Sequence, residues 1–210
     1  LRKERIDMKM NLANKLTIFR IILVPVIMLV PIIDNLVGIP GDFLGISTAF
    51  WIMNIIFIIA SITDKLDGYI ARSRNQVTTF GKFLDPLADK ILVLAAMVLL
   101  VELRKIPAWI PIIVLAREFL VSGYRLIAVE KGGKVIAASI WGKLKTVTQM
   151  LAIILIMFDK NNFWDCFRGE LTGIGFAINL VATILLLVSV FATIFSGADY
   201  MKNGKDLLKD

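Results

Sequence analysis

Long apolar segments separated by short polar ones make up most of this chain. The first covers 16–33, and a helix that crosses a membrane tolerates its two prolines, Pro25 and Pro31. The later segments lie at about 44–63, 81–103, 108–129, 138–158 and 171–195. A helix needs roughly 20 residues to cross a bilayer core, so the pattern predicts six transmembrane helices. The second is expected to continue past its apolar part to about Arg72.

The N-terminal part has two interpretations. A secretory signal peptide is one, but the apolar run exceeds the usual length of about 7 to 15 residues and no cleavage site of the A-x-A type follows. We therefore expect a retained helix, preceded by a short interfacial helix. Met8 or Met10 could be the true start, which makes 1–10 a possible extension of a single domain over 1–210.

Composition supports a membrane protein. Hydrophobic residues make up 58% of the 210 residues, against roughly 45 to 50% in a soluble domain. The mean hydropathy is +0.79. The predicted fold class is an all-α membrane protein.

The net charge of +7 fits membrane topology better than nucleic-acid binding. A nucleic-acid surface would need a basic stripe with interleaved aromatic residues, whereas here Lys and Arg gather between the apolar segments. If the N-terminus is inside, 20 of the 24 Lys and Arg lie on cytoplasmic parts of the chain. The count predicts that both termini face the cytoplasm, and no nucleic-acid partner is expected.

Four carboxylates flank the connection between the second and third helices: Asp64, Asp67, Asp85 and Asp89. Spacings of three and four place each pair on one face of a helix, so two helices can direct all four toward one point. Either pair alone is better explained by a solvated face or by ion pairs with Lys65, Lys82 or Lys90. Together the pairs favour a functional site, since unpaired charge is costly in a lipid-embedded chain.

The available chemistry is restricted, because the chain has no His and only one cysteine, Cys166. Carboxylates without His or Cys form an all-oxygen site, which selects Mg²⁺ or Mn²⁺. Two such ions can bridge a pyrophosphate and stabilise an in-line displacement at phosphorus. The pattern therefore indicates phosphoryl or phosphatidyl transfer.

The string Asp64-x2-Asp67-Gly68-x2-Ala71-Arg72-x8-Gly81-x3-Asp85-x3-Asp89 resembles the signature of the CDP-alcohol phosphatidyltransferases. The resemblance implies a six-helix membrane enzyme, usually a homodimer in the bacterial cell membrane with its active site facing the cytoplasm. Such an enzyme moves a phosphatidyl group from CDP-diacylglycerol, a membrane lipid, to an alcohol and releases CMP.

The same resemblance implies roles for individual residues. The four aspartates would bind two divalent ions, and Asp89 would also act as the general base. The residues implied at the nucleotide are Asn14, Thr17, Gly68, Ala71, Arg72 and Gly81. Asn14 and Thr17 come from NLANKLTIFR, which is similar to the family's N-P-N-x-x-T-x-x-R segment except that Ala13 replaces proline. An interfacial amphipathic helix with an Asn cap explains that segment equally well.

Residues 116–150 are similar to the phosphatidylglycerophosphate synthase branch, whose acceptor is sn-glycerol 3-phosphate. Cations in and near this stretch suit a phosphate, since Arg forks bind it bidentately. The candidates are Arg117, Arg125, Lys134 and Lys143. Arg117 could instead form an ion pair with Glu118 or the aspartates, and Lys143 and Lys145 could be ordinary cytoplasmic anchors.

Other functions remain open at this point. An enzyme of the same family could use inositol phosphate or phosphatidylglycerol as its acceptor. A small cation transporter could also hold aspartates in its helices, but it would place them near the bilayer midplane. A noncatalytic scaffold gives no reason for the paired acidic spacing.

Overall fold

A computed structural model of the chain describes 12–73, 79–130, 140–169 and 171–204, with side chains described except at 12–13, 64–73, 79–83, 85–86, 129 and 203. Six long helices account for most of these residues. They are α1 (Leu12–Val37), α2 (Thr48–Ser73), α3 (Thr79–Glu102), α4 (Trp109–Glu130), α5 (Ile140–Phe158) and α6 (Gly173–Asn203). All six predicted helices are therefore present.

Three of the described helices are long and apolar enough to cross a membrane over most of their length, namely α1, α5 and α6. The apolar part of α2, Thr48–Thr63, is shorter. Helices α3 and α4 carry several charged residues, which lowers their hydropathy. Together these helices indicate a membrane protein, while six complete spans remain a prediction.

Helix α1 is longer than the apolar segment that predicted it. It runs without a break through Pro25 and Pro31, and it already includes the residues from Leu12 onward. A separate interfacial helix is absent from the described part of the chain, and the possible extension at 1–10 lies outside it. Asn14 and Thr17 therefore belong to a long helix whose inner face is buried.

The connection between α1 and α2 contains a small β-hairpin that the sequence did not predict. Strand β1 (Asp42–Phe43) pairs antiparallel with β2 (Ile46–Ser47), with Asp42 opposite Ser47. The two residues between the strands, Leu44 and Gly45, both have positive φ, at 56° and 69°. Positive φ at both central positions is typical of the tight turn that matches the twist of paired strands.

Helix packing produces one continuous core. Helix α1 packs against α2 and α3, while α6 packs along α5 and α4. Fully buried side chains from several helices meet at the centre, among them Ile27, Phe57, Leu100, Ile153 and Leu186. Contacts between α3 and α4 are sparse by comparison, and a cavity described below opens next to them.

The end of the bundle that carries the hairpin is fixed by Lys105, which is only 8% exposed. Its ammonium group donates to the backbone carbonyls of Lys160 and Asn161 at 2.7 and 3.3 Å. The Asp159 carboxylate accepts from Asn161 and from Asn179 of α6. These contacts join the α3–α4 connection to the end of α5 and the start of α6.

Candidate active site

The signature aspartates lie on the two helices that the sequence predicted. Asp64 and Asp67 belong to α2, and Asp85 and Asp89 belong to α3. The end of α2 and the start of α3 are joined by a short connection, so both pairs lie toward the same end of the bundle. Only the Asp89 side chain is within the described part; convergence of all four remains a prediction.

Several other predicted site residues also fall outside the described side chains. For the nucleotide these are Gly68, Ala71, Arg72 and Gly81, and for the acceptor phosphate Lys134. Within the described residues, three or more acidic, His or Cys side chains do not meet in one cluster. The side chains of three of the four aspartates lie outside the described part of the chain, so the metal site stays a prediction.

Polar residues of α1 occupy its buried face at intervals of three. Asn14, Thr17 and Arg20 are almost completely shielded, with Thr17 and Arg20 at 0% exposure. The spacing puts all three on one side of the helix, and each has interactions within the protein. Arg20 is the last residue of the N-terminal segment quoted above, and sequence reasoning gave it no role. Its complete burial is the signal that distinguishes it from a surface cation.

A cavity of about 360 Å³ lies among α3, α4 and α5. Most of its lining is apolar, with Val93, Leu94, Val114 and Leu115 among the residues. Polar residues also line it: Asp89, Lys90, Glu118, Ser122, Lys145, Thr146 and Gln149. The cavity thus combines an apolar wall with charged groups, and the candidate base Asp89 is one of them.

Glu118 of α4 is the centre of an ion cluster at this cavity. One carboxylate oxygen, Oε1, accepts from Arg117 at 2.9 Å and from Lys145 of α5. The other oxygen, Oε2, lies 3.4 Å from Nζ of Lys90 on α3. Lys90 also donates to Ser122 of α4 at 2.7 Å. Glu118 therefore links three helices through three cations.

Arg117 and Arg125 are bound to α6 on a different side of α4. Arg117 donates to Glu118 and, at 2.5 Å, to Ser196. Arg125 donates to the Tyr200 hydroxyl at 2.9 Å. Both guanidinium carbons also lie 5.8 Å from the centre of the Tyr200 ring, within cation–π range. The ion pair with Glu118, one of the alternatives for Arg117, is therefore present.

The predicted acceptor cations differ in their exposure, and the sequence did not show which of them are buried. The side chains of Arg117 and Glu118 are largely shielded, at 13% and 18% exposure, but the Arg125 side chain is exposed. Lys143 is exposed too, whereas Lys145 is 6% exposed and lines the cavity. Asp89 lines the same cavity. Lys145 is thus a buried cavity residue and not a surface anchor.

Charged groups of both signs line the cavity: Lys90 and Lys145 are its cations, and Asp89 and Glu118 are its carboxylates. The Glu118 carboxylate is surrounded by three cations, since Arg117 pairs with it as well as the two lysines. This local excess of positive charge beside Glu118 suits a phosphate monoester, which carries about −1.5 to −2 at neutral pH. The apolar lining leaves room for hydrocarbon beside this charged part.

Burial lowers the pKa of the Lys105 ammonium from its ordinary value, while the negative charges of Asp159 and Asp165 act in the opposite direction. This lysine belongs to the end of the bundle that carries the hairpin, away from the aspartates, and its role is structural.

A polytopic helical bundle with an acidic signature on two adjoining helices and a cation-lined cavity defines a class of membrane transferase. The chain belongs to the CDP-alcohol phosphatidyltransferase family, whose sequence model matches residues 10–195. The resemblance predicted from the Asp64–Asp89 signature is thereby confirmed.

Several similar proteins carry the same name, and their alignments cover nearly the whole chain. One from Bacillus subtilis, named CDP-diacylglycerol--glycerol-3-phosphate 3-phosphatidyltransferase, is 42% identical over 202 residues, which is 95% of this chain and 97% of the relative. A Haemophilus influenzae protein of the same name is 38% identical over 97% of this chain and 98% of its own length. A Rickettsia typhi protein, also of that name, is 40% identical over 91% and 96%.

Proposed function

We propose that this chain transfers a phosphatidyl group from CDP-diacylglycerol to sn-glycerol 3-phosphate and releases CMP, a step toward phosphatidylglycerol and cardiolipin. The names of the relatives support this acceptor, since each similarity extends over at least 91% of the chain. The observation that carries the proposal is the cavity in which Asp89 and the buried Lys145 lie together. It joins a candidate base to a cation suited to the acceptor phosphate.

The proposed reaction is a direct displacement at phosphorus. The C1 hydroxyl oxygen of glycerol 3-phosphate bonds to the phosphorus that carries diacylglycerol, and Asp89 accepts the hydroxyl proton. The bond from that phosphorus to the bridging oxygen breaks, and CMP leaves with the electron pair. The chain offers no His as an intervening nucleophile, so the configuration at phosphorus inverts.

Two divalent ions, Mg²⁺ or Mn²⁺, are proposed as cofactors held by Asp64, Asp67, Asp85 and Asp89. The donor chemistry fits: there is no His, and the one cysteine, Cys166, is buried in the α5–α6 connection. Oxygen ligands of this kind suit hard divalent ions. When bound, such ions neutralise charge on the pyrophosphate.

Nucleotide binding is proposed for the buried face of α1 and the adjoining ends of α2 and α3. Asn14 and Thr17 lie on α1, which packs against both other helices. Their burial supports an inward role over that of an interfacial amphipathic helix. The remaining proposed contacts are Gly68, Ala71, Arg72 and Gly81, where small residues allow a ligand to approach the backbone.

Acceptor binding is proposed for Arg117 and Lys145, and also for Arg125, Lys134 and Lys143. The Nε atom of Arg117 is buried and has no hydrogen-bond partner within the described residues, so its ion pair with Glu118 leaves one donor available. Because Lys145 is buried and lines the same cavity as Asp89, it is a stronger candidate for binding the acceptor phosphate than the exposed Lys143.

The membrane arrangement is proposed from the charge distribution and the family. Both termini and the aspartates face the cytoplasm, and the enzyme is a homodimer in a bacterial cell membrane. The lipid tails stay in the bilayer while the headgroup reaches Asp89 through a lateral opening. Sparse contacts between α3 and α4 beside the mainly apolar cavity support an opening at that position.

A head-group assay tests the proposal. Purified protein is incubated with CDP-diacylglycerol, Mg²⁺ or Mn²⁺ and, in separate reactions, glycerol 3-phosphate, inositol phosphate or phosphatidylglycerol, and the lipid product is identified by mass spectrometry. Phosphatidylglycerophosphate and CMP are expected in equal amounts from the first acceptor alone. A product from another acceptor would change the substrate assignment, and cation transport without CMP release would indicate a transporter.

A further inference from the structure

The position of Glu118 requires an explanation, because a carboxylate on a membrane helix is costly unless it is paired. Its carboxylate contacts cations of α3, α4 and α5, and Arg117 extends the connection to Ser196 of α6. Ordinary helix packing would not need three cations at one acid. The cluster also lies at the cavity, where Glu118 and Lys145 both form part of the lining.

We propose that Glu118 is a positioning residue for acceptor binding, which holds the Lys145 ammonium in the cavity wall beside Asp89. This inference rests on the proposed function, because it assumes that Lys145 contacts the acceptor phosphate. Glu118 itself touches neither the acceptor nor the reacting phosphorus in this assignment. It acts by fixing where the positive charge of Lys145 lies.

Electrostatics explains why the acid is needed. Lys145 and Arg117 both contact Oε1 of Glu118, so their like charges lie close together and repel each other, and Lys145 is almost completely buried. A buried cation next to a second cation is unstable without a compensating anion. Because Oε1 of Glu118 accepts from both, it offsets the repulsion and leaves each with donors for another ligand.

Lys90 determines the direction of the Glu118 carboxylate. Its Nζ lies 3.4 Å from Oε2 and 2.7 Å from the Ser122 hydroxyl, so the second carboxylate oxygen is held toward α3. With Oε2 fixed, Oε1 remains directed at Arg117 and Lys145. Lys90 also follows Asp89 directly in the chain, so the same contact connects the acceptor cations to the helix of the candidate base.

The test compares Glu118→Gln with Glu130→Gln, an identical change at an exposed position of the same helix. The KM values for glycerol 3-phosphate and for CDP-diacylglycerol are measured separately, together with kcat and thermal stability. Hydrogen bonds to charged groups are strong enough that Glu118→Gln should raise the acceptor KM roughly 10- to 100-fold. The donor KM should stay unchanged, and Glu130→Gln should resemble the wild type.

A double-mutant cycle tests whether Glu118 acts through Lys145. If it does, adding Glu118→Gln to Lys145→Met should raise the acceptor KM by a much smaller factor than adding it to the wild type. Glu118→Asp keeps the charge on a shorter side chain and should give an acceptor KM between those of the wild type and the Gln variant. If Glu118→Gln does not fold, Glu118→Asp provides the test: its KM for glycerol 3-phosphate should rise while its KM for CDP-diacylglycerol stays unchanged.

The contradicting results are distinct from failure of the proposed function. A folded wild-type protein that forms no phosphatidylglycerophosphate would refute the function itself. An active wild type with an unchanged acceptor KM in the Glu118 variants, or with both KM values raised alike, would refute the positioning role. Multiplicative effects of Glu118→Gln and Lys145→Met would refute it as well.

Discussion

The Lys105 ammonium group donates to the backbone carbonyl of Asp159 at 2.9 Å, across the gap between the α3–α4 connection and the end of α5. Two further carbonyls, of Lys160 and Asn161, accept from the same group. All three carbonyls belong to the residues directly after α5, which ends at Phe158. Lys105 therefore holds the segment that follows α5 from a distant part of the chain.

Replacing Lys105 by Met should destabilise the protein without changing its chemistry. The substitution leaves buried carbonyls without a donor, which costs about 1–3 kcal/mol for each group that water cannot reach. Thermal unfolding in detergent is the measurement, with the exposed neighbour Arg104→Met as control. A melting temperature equal to that of the control would show that the carbonyls are satisfied in another way.

The lowered pKa of Lys105 predicts how its contribution changes with pH. Its folded-state pKa lies below the ordinary value of 10.5, so the unfolded chain binds this proton more tightly. The free energy of unfolding should therefore rise with pH between the lowered pKa and 10.5. Subtracting the unfolding free energy of Lys105→Met at each pH isolates this residue. If the difference in unfolding free energy between the wild type and Lys105→Met falls with pH over that interval, the pKa of Lys105 is raised in the folded protein and not lowered.

Asp89→Asn should fold normally yet lose nearly all turnover, because an amide cannot accept the proton of the acceptor hydroxyl. Removing a general base typically lowers the rate by about 10² to 10⁴. CMP release is the assay, and Asp42→Asn at the exposed hairpin provides the same chemical change away from the cavity. Normal turnover in Asp89→Asn would exclude Asp89 as the base.

Removing divalent ions should abolish activity reversibly. Carboxylate sites without His or Cys favour Mg²⁺ and Mn²⁺, so excess chelator should stop CMP release and either ion should restore it. Circular dichroism before and after chelation checks that the helices persist. Full activity in excess chelator would be incompatible with the four-aspartate metal site.

Arg117→Ala should chiefly raise the KM for glycerol 3-phosphate, since the guanidinium is proposed to contact the acceptor phosphate. Arg117 also holds α6 through Ser196, so Ser196→Ala is the matched control: it removes that contact and keeps the guanidinium. We expect a rise of roughly 10- to 100-fold for Arg117→Ala, the size of a charged hydrogen bond, and a much smaller one for the control. Equal effects would return Arg117 to a structural role.

Periodicity predicted the helices well because each depends on its own apolar residues. It could not determine which cation faces the cavity. Lys143 and Lys145 are two residues apart, and about 200° of helical rotation separates their side chains. One is exposed and the other is buried against Glu118, a partner 27 positions away in sequence. That pairing depends on how α4 and α5 pack.

The predicted end of α6 was wrong for a similar reason. The apolar segment stops near 195, but the helix continues to Asn203. Ser196 and Tyr200 lie in this continuation, where they accept from Arg117 and Arg125. Contacts to another helix stabilise these turns, and hydropathy carries no information about them. The hairpin was missed because it consists of only two short strands in a polar connection.

The length of α6 also matters for how the two arginines are supported. Its 31 residues extend about 46 Å, which is longer than the roughly 30 Å needed to cross a hydrocarbon layer. The family match stops at residue 195, one position before Ser196. A chain shortened to the matched region would keep every signature aspartate but would lose the Ser196 and Tyr200 hydroxyls to which Arg117 and Arg125 donate.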